Sequence, residues 1–197
     1  TMKYMFFNAT SFNCSLNAWD VSNVKNMQGM FSSAKVFNGN ISSWNVGNVE
    51  QMAEMFDYAT VFNGNISSWN VSKVINMRAM FRAAKAFNQS LGLWDVSSVT
   101  NMENMFQGAT SFNQDINSWD VSMVTRMEAM FSGATKFNQP LDSWDVRSVT
   151  DMEYMFTDAA AFNQDITGWD VTNVIYMTDM FARSGLALAG NIPAWYH

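Results

Sequence analysis

The chain has 197 residues, of which 48% are apolar and 14% are charged, and its formal net charge is -6. An apolar fraction of this size can bury a large core and excludes a compositionally disordered chain. No apolar run approaches the roughly 20 residues that cross a bilayer, so direct membrane insertion is not expected. Residues 1–90 carry seven basic and four acidic groups (+3), whereas residues 91–197 carry four basic and thirteen acidic groups (-9). This balance lacks a continuous basic track and disfavours nucleic acid as a partner.

A repeat with a period of twenty-five organises the chain. The copy from Trp119 to Ser143 is typical, and the copies share the pattern W-[DN]-V-S-x-V-x-x-M-x-x-M-F-x-x-A-x-x-F-N-[QG]-x-[IL]-x-x. Repeat positions are numbered here from the tryptophan. The sequence predicts a single domain over 1–197, with a partial coil at 1–18 and an irregular end at 182–197. Seven coils begin at evenly spaced tryptophans: Trp19, Trp44, Trp69, Trp94, Trp119, Trp144 and Trp169.

Within each copy the apolar spacing predicts short elements. Met127, Met130, Phe131 and Ala134 follow the i, i+3, i+4, i+7 spacing of one helical face, which predicts a short helical turn. β-Branched residues at 121–125 predict a short extended segment, and a second is expected near residues 139–142, so that each 25-residue coil should contain short β-strands and a short helical turn.

A single copy of the repeat cannot enclose its own tryptophan, valines, methionines and phenylalanines. Stacked copies can, because each apolar side chain then lies on its counterpart in the next copy. The sequence therefore predicts a repeat solenoid with a continuous core. At ~4.8 Å per coil, eight coils would be roughly 40 Å long.

The methionine and asparagine columns allow two kinds of interpretation. Paired thioethers are soft ligands for copper(I), but the phenylalanine beside each pair favours core packing. The asparagines predict a ladder in which side-chain amides bond the next copy or cap the local turn. The asparagine column is Asn13, Asn38, Asn63, Asn88, Asn113, Asn138 and Asn163.

The position after tryptophan also has two interpretations. Stacked carboxylates would repel one another unless cations bound them, which suggests calcium along Asp95–Asp170. Asparagine replaces aspartate freely in this column, and Asp-x-Ser is a good turn pattern, so turn capping is favoured. The column is Asp20, Asn45, Asn70, Asp95, Asp120, Asp145 and Asp170. We expect no resident metal and no cofactor.

Residues for catalysis are scarce. The one histidine is His197 and the one cysteine is Cys14, which also excludes an internal disulfide. Neither a Gly-rich phosphate loop nor zinc-ligand spacing is present. Counting alone leaves open a carboxylate pair for glycoside cleavage, but the acidic residues follow the repeat columns. We therefore expect a protein that is not an enzyme.

The repeat resembles a known family. Trp119-Asp120-Val121-Ser122 and Phe112-Asn113-Gln114-Asp115-Ile116 match the pattern of BspA-like leucine-rich repeat surface proteins. More narrowly, the chain is similar to the branch first described as mycoplasma surface lipoproteins of unknown function. The resemblance implies a right-handed, leucine-rich-repeat-like solenoid displayed at a surface, often in adhesion. It carries over no catalytic residues.

The functional expectation is an extracellular or cell-surface interaction module that binds a protein or glycan through one solenoid face. Variable exposed positions beside the methionines are the candidates, because scattered Tyr, Arg and Glu side chains on a rigid surface support recognition. The alternative is a structural protein that self-associates through exposed coil ends or by lateral stacking. The candidate partner-binding residues are Lys25, Gln28, Glu50, Lys73, Arg78, Arg126, Glu128, Glu153, Tyr154 and Tyr176.

Overall fold

The structure is a computed structural model that describes residues 1–196. His197, the last residue of the expected irregular end, lies outside the described residues. Successive copies stack in parallel, so that equivalent residues of neighbouring copies lie side by side. Isolated parallel bridges join neighbouring copies at repeat position 8: Asn26 to Gln51, Gln51 to Asn76, Asn76 to Asn101, Asn101 to Arg126, Arg126 to Asp151 and Asp151 to Tyr176.

Backbone hydrogen bonds alternate between the next copy and the same copy. The N–H of Gly29 donates to the carbonyl of Ala53 at 2.9 Å, whereas the N–H of Met30 donates back to Met27 at 3.1 Å. Across repeat positions 9 to 16 of the regular copies, the N–H groups at positions 9, 11, 13 and 15 donate to the next copy, and those at positions 12, 14 and 16 donate within the same copy. Half of these N–H groups therefore find their acceptor only when another copy is stacked beside them. Because unpaired backbone groups are costly to bury, the segment needs its neighbour to fold.

The segment from Met127 to Ala134 is a run of turns, so the predicted helical turn is wrong. Repeat positions 11 and 15 have left-handed φ in every copy, for example 57° at Tyr154 and 59° at Asp158. A right-handed helix requires negative φ throughout. The two left-handed residues each interrupt the right-handed winding of the backbone. The apolar side chains at this spacing therefore point into the core although the segment is not an α-helix.

The predicted extended segments are also wrong as strands. Residues 139–142 form no bridge, and the bridge residue of that copy is Arg126, just after 121–125. Within residues 1–196 the one α-helix is α1, Gly185–Ala189. Single-residue bridges are enough to join neighbouring copies, because the turns that follow each bridge also donate backbone hydrogen bonds to carbonyls of the next copy.

The core consists of aromatic columns. Phe131 and Phe137 stack within one copy at 4.1 Å between ring centroids, and Phe131 lies 5.7 Å from Phe156 of the next copy. The indoles of Trp119 and Trp144 are 6.5 Å apart and nearly parallel. The methionines at repeat positions 9 and 12, from Met27 to Met155, are fully buried among these rings, so packing accounts for their column.

Two polar ladders join the copies. The indole N–H of Trp119 donates to the carbonyl of Leu91, 28 residues earlier in the chain, at 3.0 Å. The Oδ1 of Asn113 accepts from the backbone N–H of Asn138 at 2.9 Å and from the amide of Gln139 at 3.0 Å. The predicted asparagine ladder is therefore confirmed. Each bond of this ladder joins an asparagine side chain of one copy to a backbone N–H of the next copy.

The stretch after Phe181, which departs from the sequence repeat, contains α1. The Ser184 hydroxyl caps this helix by accepting from the N–H of Ala187 at 3.2 Å, and Gly190 ends it with φ 73°. Leu186 points into the core and is buried. Asn191 donates to Asn163 at 3.0 Å and so continues the asparagine ladder across the helix.

The left-handed turns give a prediction at Ala83, whose φ is 54°. Replacing Ala83 with Gly should raise the free energy of unfolding by about 1 kcal/mol, because only glycine adopts this conformation without strain. Urea denaturation measures the change. Ala86→Gly, at a position without positive φ, should lower stability by about 0.4–1 kcal/mol. Equal losses in both variants would contradict the strain argument.

The ladder gives a prediction at Asn113. Asn113→Ala should cost about 1–2 kcal/mol, because the N–H groups of Asn138 and Gln139 lose their shared acceptor. Asn113→Asp keeps an acceptor oxygen and should cost clearly less. Hydrogen exchange at the Asn138 amide provides the local readout, with faster exchange expected only in the alanine variant. The same exchange rate in both variants would count against the ladder's role.

Candidate functional site

Nine of the ten candidate residues lie along one side of the stack. We call this surface the ladder face and define it as the exposed and half-exposed residues at repeat positions 7, 8, 10, 11, 14 and 15. The left-handed residues at positions 11 and 15 turn the chain so that these side chains point away from the buried methionines. Lys73, at position 5, lies elsewhere and donates to Asn48 of the preceding copy at 2.8 Å.

A chain of ion pairs runs along the ladder face through five consecutive copies. Arg78 pairs with Glu54 at 2.6 Å and with Glu103 at 3.1 Å. Arg126 reaches the same Glu103 at 3.3 Å and Asp151 at 3.9 Å. Two candidate arginines therefore already have partners within the chain. Their first role is to neutralise carboxylates that stacking brings together.

Other charged candidates are partnered less closely. Lys25 lies 3.5 Å from Glu50, and both side chains are well exposed. Glu128 lies 3.8 Å from Arg126, yet burial, followed by repulsion from Glu103 and other nearby carboxylates, raises its pKa. Surface pairs of this kind contribute little to stability.

The aromatic candidates project from the face. Tyr154 is 39% exposed and Tyr176 is 55% exposed, and Glu153 lies half-buried beside Tyr154. The tyrosines at 4, 58, 154 and 176 all occupy ladder-face positions, and the fifth, Tyr196, follows α1. Tyrosine is enriched in recognition surfaces because its ring is large and rigid and its hydroxyl forms hydrogen bonds.

A cleft on the ladder face was missed by the sequence analysis. It encloses about 480 Å³. We call it the Tyr58 cleft and define it by Tyr4, Phe7, Glu54, Asp57, Tyr58 and Arg82. Of the ten candidates, Gln28 and Arg78 border this group: the Gln28 amide donates to the hydroxyl of Tyr4 at 3.2 Å, and Arg78 pairs with Glu54 at 2.6 Å. The repeat register could have indicated this cleft, because it assigns Tyr4 to position 11 and Tyr58 to position 15 of nearby copies.

The polar groups of the Tyr58 cleft are paired with one another or with an adjacent residue. Arg82 donates two bonds to the buried Asp57, at 2.8 and 2.7 Å. The Tyr4 hydroxyl lies 3.4 Å from Glu54. Partial burial, followed by the charge of Glu54, raises the pKa of Tyr4. Tyr4 is therefore a neutral hydrogen-bond donor at physiological pH.

The aspartate column after tryptophan caps turns. The Oδ1 of Asp95 accepts from the backbone N–H of Ser97 at 3.1 Å and from its hydroxyl at 2.6 Å. Hydrogen bonds from the residue two positions on lower the pKa of Asp20, Asp95 and Asp170. Among residues 1–196, no three Cys, His, Asp or Glu side chains are grouped so as to hold a metal ion. The carboxylates the calcium hypothesis would use thus have partners in their own turns.

The lowered pKa values give a prediction about acid. The Arg147 guanidinium holds the pKa of Asp145 at about 2. A carboxylate with a lowered folded pKa stabilises the fold fully above its unfolded pKa near ~3.8 and loses that contribution as pH falls. We expect the free energy of unfolding, measured in urea, to fall between about pH 4 and pH 2.

Natural asparagines in the same column supply the control variants. The Oδ1 of Asn45 caps its turn by accepting from the N–H of Gly47 at 3.2 Å without titrating. A triple variant, Asp95→Asn, Asp145→Asn and Asp170→Asn, should show a shallower loss in acid, and Asn45→Asp a steeper one. An unchanged pH profile in both variants would refute the assignment.

Comparison with known proteins identifies a family. No curated protein matches the chain. Within residues 1–196, no helix has the length and apolar character needed to cross a membrane. The family described as Mycoplasma protein of unknown function, DUF285, matches twice, over residues 1–94 and 85–195. Together these two matches span nearly all of the stacked copies and α1, and the chain belongs to this DUF285 family.

Proposed function

We propose that the chain is a non-enzymatic interaction module, displayed at a cell surface or outside the cell, that binds a protein or glycan through the ladder face. The observation that carries the proposal is that four exposed tyrosines, Tyr4, Tyr58, Tyr154 and Tyr176, all occupy this one face. The core columns repeat from copy to copy, whereas ladder-face residues differ. A rigid stack with a varied aromatic and charged surface is suited to recognition.

The proposal includes the architecture. Parallel bridges between equivalent residues of successive copies and continuous aromatic columns support a right-handed, leucine-rich-repeat-like solenoid of the BspA type that forms one domain over 1–197. The acidic second half supports partners other than nucleic acid. Capped turns account for the aspartates of one column, which supports a binding role rather than a catalytic one.

The test measures binding of the chain to immobilised extracellular-matrix glycoproteins and to their enzymatically deglycosylated forms. Tyr154→Asn and Tyr176→Asn remove two exposed rings, and asparagine occupies the same repeat positions at Asn104 and Asn76. We expect the double variant to weaken binding about tenfold or more, because tyrosines that become covered by a bound partner contribute strongly to binding energy.

The control is Leu93→Ser. Leu93 is highly exposed away from the ladder face, and serine occupies the equivalent position at Ser43 and Ser118. This variant should bind as the unchanged chain does. Failure of the chain to bind any glycoprotein in either form, or equal weakening by the control, would overturn the proposal.

A further inference from the structure

The Tyr58 cleft exists because one copy carries only small residues where its neighbours carry aromatic rings. Gly29, Ser32 and Ser33 occupy repeat positions 11, 14 and 15 of this copy. Tyr4 rises from the preceding copy and Tyr58 from the following one. The Tyr4 ring covers Gly29 and its hydroxyl reaches Glu54, so the groove that remains lies over Ser32 and Ser33, with Phe7 and Tyr58 as its aromatic walls. Its volume of about 480 Å³ falls in the ordinary range for small-ligand sites.

The rings of the cleft are exposed to solvent. Phe7 is 58% exposed, Tyr58 is 46% exposed and Tyr4 is 40% exposed, although core rings at Phe31 and Phe56 are fully buried. Tyr4 and Phe7 meet edge to face at 5.8 Å. The cleft therefore offers apolar ring surfaces that the chain itself does not cover.

Gly29 determines where the Tyr4 ring lies. A Cβ atom at position 29 would fall 2.1 Å from Cε1 of Tyr4, so the ring rests directly on the glycine backbone. Other copies carry alanine at the same left-handed position, at Ala79 and Ala129. The backbone therefore accepts alanine here, but the Tyr4 ring would have to leave its place.

The charges in and beside the cleft cancel. Asp57 is matched by Arg82 through two hydrogen bonds, and Glu54 is matched by Arg78 at 2.6 Å. The cation-binding ring surfaces are already in use, because the Arg82 guanidinium lies 5.5 Å from the centroid of Tyr58. Likewise, the Lys3 ammonium lies 5.2 Å from the centroid of Tyr4. An ionic ligand would have to break these pairs, but a neutral ligand would not.

We infer that the Tyr58 cleft binds a neutral saccharide of one or two sugar units. The C–H face of a sugar ring packs on the exposed surface of Phe7 and on the part of the Tyr58 ring that Arg82 leaves exposed, and its hydroxyl groups bond the carboxylate oxygens of Glu54 and Asp57 and the N–H groups of Arg82. Aromatic surface beside paired polar groups suits a ligand that is apolar on one face, polar at its edges and uncharged. The inference rests on the proposed function and names the partner's chemistry at one site of the ladder face.

The experiment titrates the chain with neutral oligosaccharides of glucose, galactose and N-acetylglucosamine, followed by saturation-transfer NMR. Sialyllactose, a heparin oligosaccharide and choline serve as charged probes. We expect at least one neutral oligosaccharide to bind, with saturation transferred to its ring C–H protons. Tyr58→Ala and Gly29→Ala should each weaken its binding tenfold or more. Position 15 is alanine in another copy, at Ala83, which suits the first variant.

Controls separate the cleft from the rest of the surface and from folding. Leu93→Ser lies outside the cleft and away from the ladder face, and it should leave oligosaccharide affinity unchanged. Melting temperatures of the two cleft variants should stay close to that of the unchanged chain. Should either variant unfold, Phe7→Ser replaces it, because serine occupies the same repeat position at Ser32.

Three results would overturn the inference: no neutral oligosaccharide binds, only charged probes bind, or binding survives the cleft substitutions. If deglycosylated matrix proteins bind the chain and neutral oligosaccharides do not, the saccharide inference fails and the proposed function stands. If no glycoprotein, deglycosylated protein or oligosaccharide binds, both fail.

Discussion

The alternating hydrogen bonds of repeat positions 9 to 16 are the constraint on which the structure depends. Every second N–H in this segment, such as those of Gly29 and Phe31, needs a carbonyl of the next copy. This requirement fixes the register of the stack and places each phenylalanine and tryptophan on its counterpart. Packing and hydrogen bonding therefore favour the same register, which is typical of sequences that specify one structure.

Periodicity was enough to predict the register, the core columns and the asparagine ladder, because those features depend only on which residues recur. It was not enough to predict the turns. The sign of φ leaves little trace in residue type here: Tyr154, Asp158 and Arg183 occupy left-handed positions that glycine would fill most easily. Neighbouring copies impose this conformation, and a pattern within one copy mimicked a helix.

The candidate site was predictable in part for a related reason. The repeat placed nine of the ten candidates on one face, but it did not show which of them pair with one another. Arg78 and Arg126 join carboxylates from different copies, and those contacts depend on side-chain reach rather than on register. The Tyr58 cleft was missed because it arises from an absence of bulk at Gly29, Ser32 and Ser33, which becomes visible only beside the adjoining rings.

The cleft's dependence on copy order has an evolutionary consequence. Duplication or loss of one whole copy keeps every ladder bond in register, because each copy offers equivalent donors and acceptors to its neighbour. The same event would bring different surface residues side by side. Loss of the copy that carries Tyr58, for example, would leave a sound core but remove one wall of the groove. Genetic recombination between copies could therefore vary what such a surface recognises while leaving its folding intact.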